Sequence, residues 1–175
     1  MSCEIDAGRL EPCKTVGGLK AIYIANWDSG FNPTISAGEE ITDMGTDAPV
    51  DLYKYELKGV NSFDEAGENS SDNGTVFYTS TGTIQLKKQD AVTRKQLKLL
   101  AYGRTRIITE GYDGTFKLYG FENGCDVAVS TASGAAMGDF NGYNLTVTAK
   151  EVAPAYFVDS TVMSDTGEVT IVEGT

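Results

Sequence analysis

Side chains alternate between apolar and polar along several stretches of this chain, and residues that favour turns separate those stretches. Residues 143–151 alternate without a break, with the apolar face carrying Tyr143, Leu145, Val147 and Ala149. A period of two places successive side chains on opposite faces of a β-strand. The chain is therefore expected to build sheets that bury one face.

About eight strands are predicted in this way, together with one helix. Residues 51–58 and 75–86 alternate as clearly as residues 143–151, and residues 104–110 and 115–121 flank a Gly-Tyr-Asp-Gly turn. Strands in this number usually close into a barrel or stack as a sandwich, because both arrangements limit exposed edges. The predicted fold class is mainly β, with two packed antiparallel sheets or a barrel-like sandwich and one flanking helix.

The helix is predicted over residues 91–102. Asp90 is a suitable N-cap, and Gly103 suits the left-handed position that ends a helix. Apolar residues are expected to cover a sheet with one broad face, while the basic residues Arg94, Lys95 and Lys98 gather on the other side.

A length of 175 residues fits a single domain spanning 1–175. Residues 1–18 lack a clear period and are interpreted as an N-terminal arm. Turn formers dominate residues 28–48 and 61–74, which predicts two long loops. Residues 155–172 are predicted to form a C-terminal hairpin. Loops of such length are usually functional or bound to a partner.

Charge is segregated along this acidic chain, whose formal net charge is −11. Seven of the fourteen Lys and Arg residues lie between Lys87 and Arg106, with Asp90 as the one acid among them. The remaining residues hold seven basic and 24 acidic side chains, a net of −17. A basic patch that faces an acidic patch on another copy sets the register of an assembly. The candidate subunit-interface residues are Arg94, Lys95, Lys98, Arg104 and Arg106, although a solvated helix face is the simpler interpretation of the first three.

Composition argues against several function classes. The chain has no histidine, which removes the usual nucleophile systems, the usual neutral-pH general base and the commonest metal ligand. Its three cysteines have no metal-binding spacing, and no phosphate-binding glycine motif occurs. No enzyme activity, catalytic residue, cofactor or metal is expected. No apolar run is long enough to span a membrane, and the acidic charge argues against wrapping nucleic acid.

The order of motifs between residues 97 and 158 resembles that of a known family. A helix ending in Leu-Lys-Leu-Leu-Ala-Tyr-Gly-Arg leads through an Asp-Gly hairpin to Leu-Tyr-Gly-Phe-Glu-Asn-Gly. Thr-Ala-Ser-Gly-Ala-Ala-Met-Gly-Asp and Asn-Gly-Tyr-Asn-Leu-Thr-Val-Thr-Ala-Lys-Glu follow, and Gly-Arg-Leu-Glu-Pro-Cys-Lys lies near the N-terminus. This order is similar to that of the tail tube, or major tail, proteins of tailed bacteriophages.

The resemblance implies a structural virion protein that catalyses no reaction. Six copies would form a ring, and rings would stack into a tube with an acidic lining through which the genome leaves the capsid. Partners would be further copies of the chain and other phage tail proteins, with DNA passing through the channel without specific binding. The protein would be assembled in the host cytoplasm and would reside in the virion tail.

Two other classes remain open from the residues alone. A capsid-decorating or host-glycan-binding β-sandwich module is the main alternative, and it predicts a monomer or trimer with a defined aromatic pocket. A barrel that carries a small molecule is a more distant alternative.

Overall fold

The computed structural model describes residues 7–11, 13–28, 31–45 and 49–174. Within these residues the fold is mainly β and sandwich-like, which confirms the predicted fold class. The strands are β1 (Leu19–Asn26), β2 (Thr34–Ile35), β3 (Glu40–Asp43), β4 (Val50–Glu56), β5 (Ser62–Ser70), β6 (Thr75–Lys87), β7 (Thr105–Gly111), β8 (Phe116–Tyr119), β9 (Cys125–Ala132), β10 (Gly142–Glu151), β11 (Tyr156–Val158) and β12 (Val169–Val172). The helices are α1 (Ala91–Leu100) and α2 (Ser160–Ser164).

Four strands, in the order β9-β10-β6-β5, form an antiparallel sheet that we call the four-stranded sheet. β10 lies inside it, with Leu145 opposite Ile84 of β6 and Val129 of β9. The strict alternation of β10 matches its place, because one face of this sheet is buried and the other is exposed.

The other strands form what we call the second sheet. β1 pairs with β7 and β4, and β7 continues through β8 to β11. Two pairings at its margins are parallel, β11 with β3 and β12 with β4. The two sheets are joined where Thr105 of β7 pairs with Cys125 of β9.

β1 separates two hydrophobic cores. Ile22 and Ile24 face the first core, which also contains Ile84 and Val147 of the four-stranded sheet and therefore fills the space between the sheets. Ala21, Tyr23 and Ala25 face the second core, where Ile41, Leu52, Val162 and Met163 pack around them. Because both faces of β1 are buried, its sequence is a nearly continuous apolar run without alternation.

The predicted loop over residues 61–74 is wrong. Residues 62–70 form β5, which pairs with β6 along its whole length, from Ser62 opposite Thr83 to Ser70 opposite Thr75. β5 is an edge strand and most of its side chains are exposed, so its composition resembles that of a loop. The pairing with β6, the next strand of a hairpin, decides its conformation.

The predicted C-terminal hairpin over residues 155–172 is also wrong. β11 pairs with β8 and β3, α2 follows it as a second helix, and β12 runs parallel to β4. Residues 28–48 likewise contain β2 and β3, so their described part is not structureless. Residues 7–11 and 13–18 of the predicted arm contain no helix or strand, and the rest of that arm lies outside the described residues.

No helix in the described part of the chain is long and apolar enough to cross a membrane.

Phe63 packs the edge strand β5 against the first core, and a glycine in β6 makes room for its ring. The ring of Phe63 in β5 lies across Gly82 of β6 and stacks on Tyr119, with ring centroids 4.0 Å apart. A Cβ atom at Gly82 would lie 2.5 Å from that ring. The stacking therefore requires glycine at this position.

We expect Gly82→Val to lower the free energy of unfolding by roughly 1–3 kcal/mol, because the new side chain displaces Phe63. Thr83→Val is the matched control, since Thr83 is exposed on the opposite face of the same strand. Urea unfolding of both variants measures the effect. Equal stability of the two variants would contradict this account of β5.

Candidate assembly surfaces

The basic residues predicted on the helix are exposed on α1. Asp90 caps the helix by accepting a hydrogen bond from the backbone N–H of Thr93 at 2.7 Å, and hydrogen bonds from the side chain and the backbone of Thr93 hold the pKa of Asp90 below its usual value. Tyr143 of β10 donates a hydrogen bond to the carbonyl oxygen of Asp90 at 2.9 Å. These contacts fix the start of α1 to the four-stranded sheet and leave Arg94, Lys95 and Lys98 facing solvent.

α1 buries less apolar surface than its sequence predicts. Leu97 is buried in the first core and Leu100 packs against that core. Val92, Leu99 and Tyr102 are 68%, 59% and 82% exposed. The expected broad apolar face over a sheet is thus only partly formed, and an apolar surface remains exposed beside the cations.

The last two candidate interface residues have different environments. Arg104 is exposed, and its guanidinium carbon lies 5.8 Å from the centroid of the Trp27 ring. Arg106 is only 5% exposed. Its guanidinium carbon lies 3.9 Å from the centroid of the Trp27 ring and 4.4 Å from the centroid of the Phe31 ring. Arg106 donates hydrogen bonds to the carbonyl oxygens of Phe121 and Asp28. The expectation that Arg106 belongs to a basic surface is therefore wrong for the folded chain, because its head group is used inside the fold.

The exposed face of the four-stranded sheet is polar and rich in hydroxyl groups. Thr83 lies between Thr146 of β10 and Ser62 of β5, and Thr81 lies between Thr148 and Asp64. On the β9 side, Asp126 is opposite Thr148. The charged residues in the register of this face are Asp64, Glu68, Lys87, Asp126 and Lys150. The face carries three acids and two cations, and we call it the polar face.

Both margins of the four-stranded sheet lack a strand neighbour over most of their length. Among the pairings of the described residues, β5 pairs only with β6, and β9 pairs with β10 and meets β7 only at Cys125. Unpaired N–H and C=O groups at a strand edge are a template for pairing with another chain. The sequence indicated the polar face through its alternating threonines, but it gave no sign that β5 would supply one of these edges.

A buried carboxylate stabilises the second sheet. Glu110 of β7 forms an ion pair with Lys20 and accepts a hydrogen bond from the hydroxyl group of Tyr23 at 2.7 Å. Burial alone would raise the pKa of Glu110, but the hydrogen bonds from Lys20 and Tyr23 hold it below its usual value. Burial and the bond to Glu110 raise the pKa of Tyr23. The charged form of Glu110 is therefore the one that the fold favours.

The described residues contain no group of three or more side chains that could hold a metal ion. The thiol of Cys125 is buried, and burial raises its pKa to about 12, so it is a packing group rather than a nucleophile. Cys13 is exposed, and Cys3 lies outside the described residues.

One groove of about 540 Å³ opens at the margin of the second core. Its lining includes the apolar residues Met44, Leu52 and Ile108, together with Arg106 and Phe31. It also borders Gly45 and Pro49, between which residues 46–48 lie outside the described residues. Phe31 is the one aromatic residue in the described lining.

Searches against protein-family models, curated proteins and solved structures found no match to this chain.

We expect Glu110→Gln to lower the free energy of unfolding at pH 7 by about 1–3 kcal/mol, because it removes hydrogen bonds to a charged group. The folded-state pKa of Glu110 lies below the unfolded one, so this stabilisation is complete above the ordinary carboxyl pKa of about 4.3 and is lost as pH falls through the lower folded value. The difference between wild type and variant should therefore shrink below about pH 4. Thermal unfolding from pH 3 to 8 measures it, with the exposed Glu56→Gln as control. A difference that stays constant with pH would contradict this assignment.

Proposed function

We propose that this chain is a structural virion protein, a phage tail tube subunit whose hexameric rings stack around an acidic channel for genome ejection. The observation that carries the proposal is the polar face, which lies on a sheet whose two margins are open to strand pairing. The resemblance of residues 97–158 to tail tube proteins supports it independently.

The chemistry of the polar face suits a channel for DNA. Short hydroxyl side chains such as Thr81, Thr83 and Thr146 offer no fixed positive charge to a phosphate. Asp64, Glu68 and Asp126 outnumber Lys87 and Lys150, and six copies would place that acidic excess around one axis. Like charge repels the phosphates and prevents DNA from adsorbing to the wall. In this arrangement DNA passes through without specific binding.

The open margins suit ring closure. β9 of one copy and β5 of the next would lie side by side if the four-stranded sheets formed one continuous barrel. A contact between two different margins is head to tail. Such a contact closes into a ring when the rotation from one copy to the next is a whole-number fraction of a full turn. Closure would pair the exposed edges of every copy, which removes the aggregation risk that an open edge carries.

The remaining parts of the proposal follow from that role. Partners are further copies of this chain and the other tail proteins at the ends of the tube. The subunit is assembled in the host cytoplasm and resides in the virion, and it needs neither a cofactor nor a catalytic residue.

Negative-stain electron microscopy of the purified protein over a concentration series tests the assembly. We expect rings and, at higher concentration, tubes with an open axial channel. Featureless monomers at every concentration would contradict the proposal.

We expect Thr83→Lys combined with Thr146→Lys to make assembled tubes retain short duplex DNA, because both side chains lie on the polar face. Retention in low salt should rise roughly tenfold over wild type and fall as salt is added. Thr166→Lys with Thr170→Lys is the matched control, since both threonines are exposed elsewhere. Equal retention by the two pairs, measured by co-sedimentation, would show that the polar face does not line the channel.

The groove beside Arg106 is the observation that favours the second candidate, a capsid-decorating or glycan-binding module. Its volume admits a small ligand. Glycan recognition usually needs an exposed aromatic platform, but the described lining offers only Phe31, and that ring packs against Arg106 and Phe121. This candidate predicts a monomer or trimer that binds glycans or capsid, and an absence of rings would favour it.

A further inference from the structure

We propose that α1 of one copy binds the tip of the β5–β6 hairpin of another copy, and that this contact joins successive rings. The inference rests on the proposed tube function and names a contact within it. The two surfaces are defined by the α1 stripe, which comprises Val92, Lys95, Leu99 and Tyr102, and by the hairpin tip, which comprises residues 68–77.

The α1 stripe is a continuous exposed surface of mixed character. Val92, Lys95 and Leu99 are spaced by three and four positions and lie along one side of α1, and Tyr102 follows in the turn after the helix. Three of the four are apolar, and all three are more than half exposed. Arg94 and Lys98 flank the stripe. This combination suits a partner that presents both apolar surface and negative charge.

The hairpin tip has the complementary character. β10 pairs with β6 only as far as Tyr78, so the segment from Glu68 to Phe77 is paired within the hairpin alone and extends past the sheet. It carries two acids, Glu68 and Asp72, and the exposed side chain of Val76, which is 60% exposed. No Lys or Arg occurs between Lys58 and Lys87, so no cation of its own strands neutralises the tip.

Strand geometry prevents the two surfaces from meeting within one chain. β6 runs from the tip at Thr75 to Lys87, which lies next to the start of α1. Its thirteen residues span about 43 Å at roughly 3.3 Å per residue. The acidic tip and the basic helix are therefore at opposite ends of one strand, and only another copy can bring them together.

A contact between opposite ends of the same strand is head to tail, and it propagates along the strand direction. Heterologous contacts of this kind form open stacks when they do not close. Lateral pairing of β5 with β9 would build the ring, whereas the contact between the α1 stripe and the hairpin tip would join one ring to the next. The basic segment of the sequence would then form one side of this intermolecular contact, and the acidic hairpin tip would form the other.

Three other acidic residues, Glu65, Glu110 and Glu151, fit this partner less well because the fold already uses them. Glu65 accepts a hydrogen bond from the backbone N–H of Ala155 at 2.7 Å. Glu110 is paired with Lys20, and Glu151 accepts hydrogen bonds from the backbone N–H groups of Glu122 and Asn123. Within the tip, Asp72 lies at the turn and Glu68 contacts only Thr79 of its own hairpin among the described hydrogen bonds.

Cross-linking tests the contact directly. Tyr102→Cys and Asp72→Cys are introduced together, with Cys3→Ser and Cys13→Ser to remove the other accessible thiols, and the protein is treated with a short bismaleimide. We expect mass spectrometry to identify a covalent link between positions 102 and 72 of different copies. Tyr112→Cys in place of Tyr102→Cys is the matched control, because Tyr112 is also an exposed tyrosine but lies in the turn between β7 and β8.

The outcomes separate the two proposals. Rings without the 102–72 link overturn this contact and leave the proposed function standing. The link without rings supports a contact between α1 and the hairpin tip, but it overturns both the role of that contact in joining rings and the proposed function. If neither rings nor the link is observed, both proposals are overturned.

Charge reversal provides a second measurement. We expect Arg94→Glu, Lys95→Glu and Lys98→Glu together to raise the protein concentration needed for tubes roughly tenfold while rings persist. Adding Glu68→Lys and Asp72→Lys should restore tubes.

The matched control combines the same helix variant with Asp51→Lys and Asp165→Lys. It has the same net charge as the rescued variant but should not restore tubes, since both of those acids are exposed elsewhere. Circular dichroism verifies that each variant is folded, and unchanged tube formation by the helix variant would overturn the contact.

Discussion

The structure depends on the burial of β1 on both faces. Ile22 and Ile24 of this strand face the core between the two sheets, whereas Ala21, Tyr23 and Ala25 face the core under α2. β1 pairs with β7 on one side and with β4 on the other, so its backbone N–H and C=O groups are hydrogen-bonded. Buried backbone groups without such partners would cost a large amount of folding free energy. One strand thereby holds the two cores in a fixed relation, and the four-stranded sheet can leave its other face open.

That open face connects the fold to the proposed role. A sheet that packs on only one side can present short polar side chains on the other without any loss of core. Glycine at position 82 brings Phe63 close to Tyr119 and holds the edge strand β5 on the sheet. The edge that would pair with a neighbouring copy in the proposed ring is therefore fixed by packing inside the monomer, and it would need no rearrangement to bind.

Charge is arranged along the length of β6. The hairpin tip at one end has two acids, and α1 at the other end has three exposed cations. The proposed ring-to-ring contact would join the acidic end of β6 in one copy to the basic end in another. The proposed lateral contacts would instead pair the backbone edges of β5 and β9. Two contact types of different chemistry would respond differently to salt, because screening weakens exposed charge pairs more than backbone hydrogen bonds.

The sequence by itself determined the features that depend on neighbouring residues along the chain. Alternation identified β10 and β6, Asp90 marked the start of α1, and the counts of Lys and Arg showed the segregated charge. These are local signals, since a period or a cap is complete within a few residues.

Only the tertiary structure decided the features that depend on pairing and packing partners. β5 is a strand because β6 pairs with it, although its residues favour a loop. Arg106 is buried because Trp27 and Phe31, distant in sequence, form its binding site. The parallel pairing of β12 with β4 replaced the expected C-terminal hairpin for the same reason. Strand partners and buried charges are selected by contacts across the whole fold, and no local pattern encodes them.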